Sequence, residues 1–229
     1  MVSYTLNKRI LIFAGHYGSG KTNIATNYAL MLKENGYDTA IADLDIVNPY
    51  FRTKDAQSIF SKNGIRLISS EFAGSNVDLP ALPPEAYSLF ENKDLKAVID
   101  LGGDDRGALA MGRYSDLVKS ENNYEMLFVL NMYRPLTRTV EDAVLVMREI
   151  EEASKIKFTG IVNNSNIGDE TKKEHIIASQ KFAKEISEIT NLPLVMTTIK
   201  NELFGELQNE IENPVPIKLY IKQSWSREI

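Results

Sequence analysis

Residues Gly15-His16-Tyr17-Gly18-Ser19-Gly20-Lys21-Thr22 fit the pattern G-x-x-x-x-G-K-[ST], whose chemistry is the capture of a phosphate chain. Glycines at these positions let the backbone wind round a phosphate, so that successive N–H groups and a helix N-terminus face its charge. Lys21 would reach the β- and γ-phosphates, and the Thr22 hydroxyl would ligate magnesium. Asn23, the next residue, is counted with the binding loop. The competing reading is a glycine turn carrying a solvated lysine. Chance yields such a string roughly once in a hundred chains of this length at average residue usage, and the setting described below tells further against it.

Other residues could serve the same chemistry. Asp43-Leu44-Asp45 follows the apolar run Thr39-Ala40-Ile41-Ala42, and acidic residues at a strand's carboxyl end sit where α/β sheets hold ligands. Asp43 and Asp45 point to one side if the strand continues; the alternative is that they cap a turn. Asp100 closes the run Lys96-Ala97-Val98-Ile99, the place of the magnesium-partner aspartate in phosphate-loop proteins. Gly103, just beyond, could set its N–H against a γ-phosphate. The run Asn163-Asn164-Ser165-Asn166 offers donor and acceptor together, suited to a purine edge, and is equally the chemistry of a simple turn.

These residues need elements to position them. Ile10 to Ala14 is an unbroken apolar run, as expected of a parallel strand buried on both faces. Ile24, Ala25, Tyr28, Ala29 and Leu32 then recur at helical spacing before Gly36, which marks a helix end. Further strands are expected at 39–42, 65–70, 96–99, 124–132, 158–162 and 194–199. Thr139 is placed to start a helix with its hydroxyl, with Val140, Ala143, Val144, Met147 and Ile150 as its apolar face. Another helix is expected from about Glu170 to Thr190. The stretch 71–84, with Pro80, Pro83 and Pro84, is a functional loop over the phosphate end or a plain surface connection. Pro214 and Pro216 precede a short end in which Ile217, Tyr220, Ile221 and Trp225 share one helical face. That face packs on the core in preference to lying on a membrane.

Composition narrows the class. A chain of 229 residues with 43% hydrophobic content suits one α/β domain spanning 1–229. Its formal net charge is -5, so no excess of Lys and Arg marks a nucleic-acid footprint. It has no cysteine and only two histidines, which excludes thiolate metal centres and leaves oxygen-bound magnesium as the expected metal. No apolar run approaches the ~18 residues of a membrane span, and the chain reads as soluble and cytoplasmic.

The order GHYGSGKT, ADLD, VIDLGG, VNNSN resembles the MinD/ParA and CobQ/CobB group of P-loop nucleotide-binding domains, from about Arg9 to Lys200. The resemblance implies a mostly parallel sheet of seven or eight strands with helices on both faces, a three-layer sandwich, and nucleotide hydrolysis used as a switch. It further implies that Asp45 orients the attacking water, that Asp43 begins the same D-x-D motif, that Asp100 is the second magnesium aspartate, and that Asn163 or Asn164 contacts the base. The segment from Lys200 would flank the base. One departure stands out. Members that dimerise across the nucleotide carry a signature lysine early in the loop, where this chain has His16, with Tyr17 in place of a glycine. A protonated His16 could substitute, but an ordinary loop role is favoured.

The leading expectation is therefore a magnesium-dependent ATPase switch for an unidentified partner, pairing as a homodimer on ATP. The second is a small-molecule enzyme of the dethiobiotin synthetase or cobyrinate amidating kind. The third, a GTPase metallochaperone, calls for an N-K-x-D and metal-binding Cys or His, and the sequence has neither.

Overall fold

A computed structural model describes residues 7–44, 56–69, 84–102 and 105–220. The chain order is β1 (Ile10–Ala14), α1 (Lys21–Glu34), β2 (Thr39–Leu44), α2 (Gln57–Lys62), β3 (Arg66–Ser69), α3 (Ser88–Glu91), β4 (Lys96–Leu101), α4 (Asp105–Gly112) and α5 (Ser115–Glu121). It continues with β5 (Tyr124–Leu130), α6 (Val140–Ser154), β6 (Gly160–Asn163), α7 (Lys173–Thr190), β7 (Leu194–Lys200), α8 (Asn201–Leu207) and β8 (Pro214–Ile217). The strands form one eight-stranded sheet in the order β3-β2-β4-β1-β5-β6-β7-β8, and every neighbouring pair is parallel.

The alternation of β1 shows how the sequence builds three layers. Ile10, Ile12 and Ala14 enter one core with Phe90, Met111, Val118, Met147 and Ile186 from the helices α3 to α7. Leu11 and Phe13 enter the other with Ile24, Ala25, Tyr28, Ala29 and Leu32 of α1 and Phe60 of α2. A strand covered on both faces can be apolar throughout, and all five β1 residues are buried. The apolar face expected of the first helix is the one it buries. Thr139 caps α6 as expected, its hydroxyl accepting from the Asp142 amide at 3.1 Å.

Several boundaries differ from the sequence expectation. The strands ending at Leu44 and Leu101 run two residues further, which brings Asp43 and Asp100 inside the sheet. β5 stops at Leu130, before Asn131 begins a tight turn. β6 starts only at Gly160, and α7 starts at Lys173, after a short 3-10 turn at Gly168–Glu170. Helices α4, α5 and α8 had no clear periodic signal, being seven or eight residues long.

The largest correction lies near the chain's end. Pro214 and Pro216 belong to an eighth strand, and Ile217 ends that strand instead of starting a helix. The Asn213 carbonyl accepts from the Thr197 amide at 2.8 Å, so residues 213, 215 and 217 turn their backbone groups toward β7. The two prolines, which lack an N–H, then face the outer edge, where a strand tolerates them. Ile221 and Trp225 lie outside the described residues, as does the 71–83 stretch. Among the described residues no helix is long and apolar enough to cross a membrane.

Candidate functional site

All eight strands point the same way, so their carboxyl ends form one edge of the sheet, the edge at which open α/β sheets hold ligands. The Gly15–Gly20 loop leaves that edge from β1, the fourth strand in, and turns directly into α1. Its turn is closed by the Ser19 amide on the His16 carbonyl at 3.1 Å. Gly18 and Gly20 have φ of 76° and 91°, left-handed values that favour glycine. Gly20 also occupies the N-cap position of α1, so the cap residue has no side chain to offer, and the first turn of the helix carries no acid. The N-terminus of this 14-residue helix carries the positive end of its dipole, which favours an anion.

Side chains converge on this loop. Lys21 is buried to 4% exposure, and its Nζ lies 3.5 Å from the His16 carbonyl, folded back over the loop it follows. Thr22 is buried beside it. The Ser19 hydroxyl is buried and, among the described residues, has no hydrogen-bond partner.

The carboxylates come from neighbouring strands. Asp43 of β2 and Asp100 of β4 are register partners, and Asp100 is in turn the partner of Phe13 on β1. Register partners in a parallel sheet share a face, so both aspartates lie on the side covered by α1, whose first residue is Lys21. Both are buried, on strands ~4.8 Å apart. Two buried carboxylates so close call for positive charge. Among the described residues no group of three or more His, Cys, Asp or Glu could hold a metal ion. Two carboxylates and the Thr22 hydroxyl are hard oxygen donors that suit magnesium when phosphate completes its shell. Thr22, Asp43 and Asp100 were the expected magnesium residues, and the sheet sets Asp43 beside Asp100. Asp45 and Gly103 lie outside the described residues.

The asparagine run has a different character. Asn163 is fully buried, its Nδ2 donating to the Ser179 hydroxyl at 2.8 Å and its Oδ1 accepting from the Ser165 amide at 3.2 Å. Asn164 donates to the Ser19 carbonyl at 2.5 Å and accepts from the Thr198 hydroxyl. It thus ties the phosphate loop to β6 and β7. Asn131, at the end of β5, donates to the Asn166 carbonyl and accepts from the Tyr133 and Asn166 amides. Asn23, taken as part of the loop, accepts from the Tyr220 amide at 2.9 Å, pinning the segment after β8 to α1.

His16 and Tyr17 form the outer rim, Tyr17 about half exposed. Burial pushes the His16 imidazole below its usual pKa; its bond to the Tyr17 carbonyl opposes this, the Lys21 charge adds to it, and Glu149 opposes it. A histidine whose charged form burial disfavours is a poor replacement for a lysine. Arg134 was not singled out by the sequence. It follows β5, and its Nε donates to the Gly18 carbonyl at 2.8 Å. The one available signal was an arginine before a proline just beyond a strand's carboxyl end.

No protein-family model matches this chain, and no curated protein matches it. Solved structures do. The cell division protein FtsY of Thermotoga maritima is 20% identical with a TM-score of 0.55, over 84% of this chain and 63% of that one. FtsY of Mycoplasma mycoides is 18% identical with a TM-score of 0.54, over 85% of this chain and 61% of that one. The signal recognition particle 54 kDa protein of Aeropyrum pernix K1, solved in complex with GDP, is 12% identical with a TM-score of 0.52, over 83% of this chain and 41% of that one. This chain therefore spans less than two thirds of those proteins' lengths. The likeness is one of fold, an α/β P-loop NTPase-like sandwich with a parallel sheet.

Proposed function

We propose that this chain is a single nucleotide-binding domain that takes magnesium ATP on the Gly15–Asn23 loop and hydrolyses it as a switch for a partner. The observation that carries the reading is the loop itself. Two left-handed glycines, a helix started by a glycine and the buried Lys21 stand together at the carboxyl edge, beside the Asp43–Asp100 pair. Lys21 neutralises phosphate charge, and the backbone amides of the loop bind phosphate oxygens. Thr22, Asp43 and Asp100 would hold magnesium, which would offset the charge that develops on the phosphate. Asp45 orients the attacking water, on the MinD/ParA resemblance.

For the base, adenine is favoured because the Asn163–Asn166 run carries no aspartate of the guanine-reading kind. Asn163 and Asn164 act as braces in this reading, their amides being engaged within the protein. Pairing of two copies on ATP belongs to the same proposal. The test is competition of ATP against GTP for a fluorescent nucleotide, with light scattering on the ADP and ATP-analogue forms. Preference for ATP and a doubled mass with the analogue are expected. Tighter GTP binding would overturn the base assignment, and an unchanged mass would remove the dimer.

A further inference from the structure

The early loop position that would carry a second cation holds His16, which burial keeps toward neutrality. The fold supplies a positive charge to the same loop from another strand. Arg134 stands on a short turn after β5 that is tied down at several points. The Asn131 Oδ1 accepts from the Tyr133 amide at 3.0 Å, the Arg134 amide donates to the Asn131 carbonyl at 3.2 Å, and the Thr137 hydroxyl donates to that same carbonyl at 2.6 Å. The Met132 amide donates to the Ser165 hydroxyl at 3.1 Å, fastening the turn to the segment after β6. Pro135 fixes the backbone just past the arginine.

From this mount the side chain reaches the phosphate loop and lies against Gly18. A Cβ on Gly18 would come within 3.2 Å of the Arg134 Nε, so the glycine accommodates the arginine as well as the left-handed turn. Nε is engaged on the Gly18 carbonyl. Among the described residues the two Nη groups have no hydrogen bond and no carboxylate within 4.0 Å, though the side chain is partly buried. Burial pushes the guanidinium below its usual pKa, and the opposing influence is the Tyr17 side chain, not an acid. A partly buried cation with no acid costs stability unless an anion meets it. The planar fork of arginine is suited to phosphate oxygens.

We propose that Arg134 is a phosphate-binding residue of this site: its guanidinium, moored through Nε on the Gly18 carbonyl, pairs its Nη groups with the polyphosphate of the bound nucleotide. This rests on the nucleotide reading above. Arg134 takes over, from the end of β5, the second positive charge that the loop lacks. The alternative is a brace that only holds Gly18 in place, and two substitutions separate them. Glutamine keeps an N–H donor where Nε stands but removes the charge. Lysine keeps the charge and gives up the fork.

The experiment is calorimetric titration of wild type, Arg134→Gln and Arg134→Lys with Mg·ATP and Mg·ADP, with thermal melting of the nucleotide-free proteins. Expected are melting temperatures close to wild type, a loss of ~10-fold or more in ATP affinity for Arg134→Gln, and recovery of most of it in Arg134→Lys. Wild-type affinity in Arg134→Gln would overturn the inference while leaving the nucleotide site standing. So would a lysine variant weaker than the glutamine one, since the brace and not the charge would then matter. If wild type itself binds neither nucleotide, the nucleotide reading fails and this inference with it.

Discussion

Two stretches of the same sheet edge are rich in small polar residues, yet they differ in what their polar groups are doing. At the asparagine end, Asn131, Asn163, Asn164 and Asn166 bond to one another's backbones, to Ser179 and to Thr198. At the phosphate end, α1 starts from a glycine that has no side chain to cap it, the Ser19 hydroxyl has no partner among the described residues, and two cations, Lys21 and Arg134, lie against the loop. Buried polar groups that pair internally hold a fold together. Those left over point to a ligand. On the proposed function, the asparagines are the frame and the glycine loop is the site.

The widest gap between the two ends should appear on deleting Lys21. Lys21→Ala is expected to weaken nucleotide affinity by ~100-fold or more, because a buried site then meets phosphate without its charge-assisted lysine bond, while its melting temperature stays near wild type. Wild-type affinity in calorimetry would remove the site assignment. Next comes Asp100→Asn, which takes charge from beside the expected magnesium. Affinity should become far less dependent on magnesium, with turnover falling too. Asp45→Asn should instead keep ATP bound and lower hydrolysis by ~10²–10⁴-fold. Equal loss of affinity in both variants would refute the division of labour.

The frame should fail in stability before it fails in binding. Asn164→Ala leaves the Ser19 carbonyl and the Thr198 hydroxyl buried without the amide that joins them, a cost of ~2–6 kcal/mol at ~1–3 kcal/mol per group. Urea denaturation should register that loss, with nucleotide affinity reduced less than in Lys21→Ala. An unchanged midpoint would mean that Asn164 is no brace. The smallest effect concerns His16. Its pKa is lowered in the folded protein, chiefly by burial, so its share of stability is present above its unfolded value, ~6.5, and is lost as pH falls through the lowered folded value. Phosphate nearby favours the proton, so ATP binding near pH 6 should take one up. Calorimetric enthalpies that vary with buffer in wild type but not in His16→Gln would show it; identical buffer dependence in both would exclude it.

Continuous patterns were legible in the sequence and register was not. Ile10–Ala14, the glycine loop and the α1 face could be read because each is local, an apolar run or a helical spacing. The pairing of Asp43 with Asp100 could not, since it depends on β4 lying between β1 and β2, which no local signal specifies. Arg134 escaped for the same reason, lying 116 residues from the Gly18 carbonyl it touches. The eighth strand was hidden by its prolines, which argue against a central strand but not against an edge facing outward. The asparagine run was legible as polar chemistry with two meanings, and the proposed function takes it as frame because its side chains bond within the protein.

That difference is open to direct measurement. Backbone amide shifts of isotope-labelled protein, recorded while Mg·ATP is added, report each residue separately. The account predicts the largest shifts at the Gly18 to Thr22 amides, with those of Asn163 and Asn164 smaller. Saturation of the protein with ATP while the Gly18 to Thr22 amides stay in place and the asparagine amides move would contradict it.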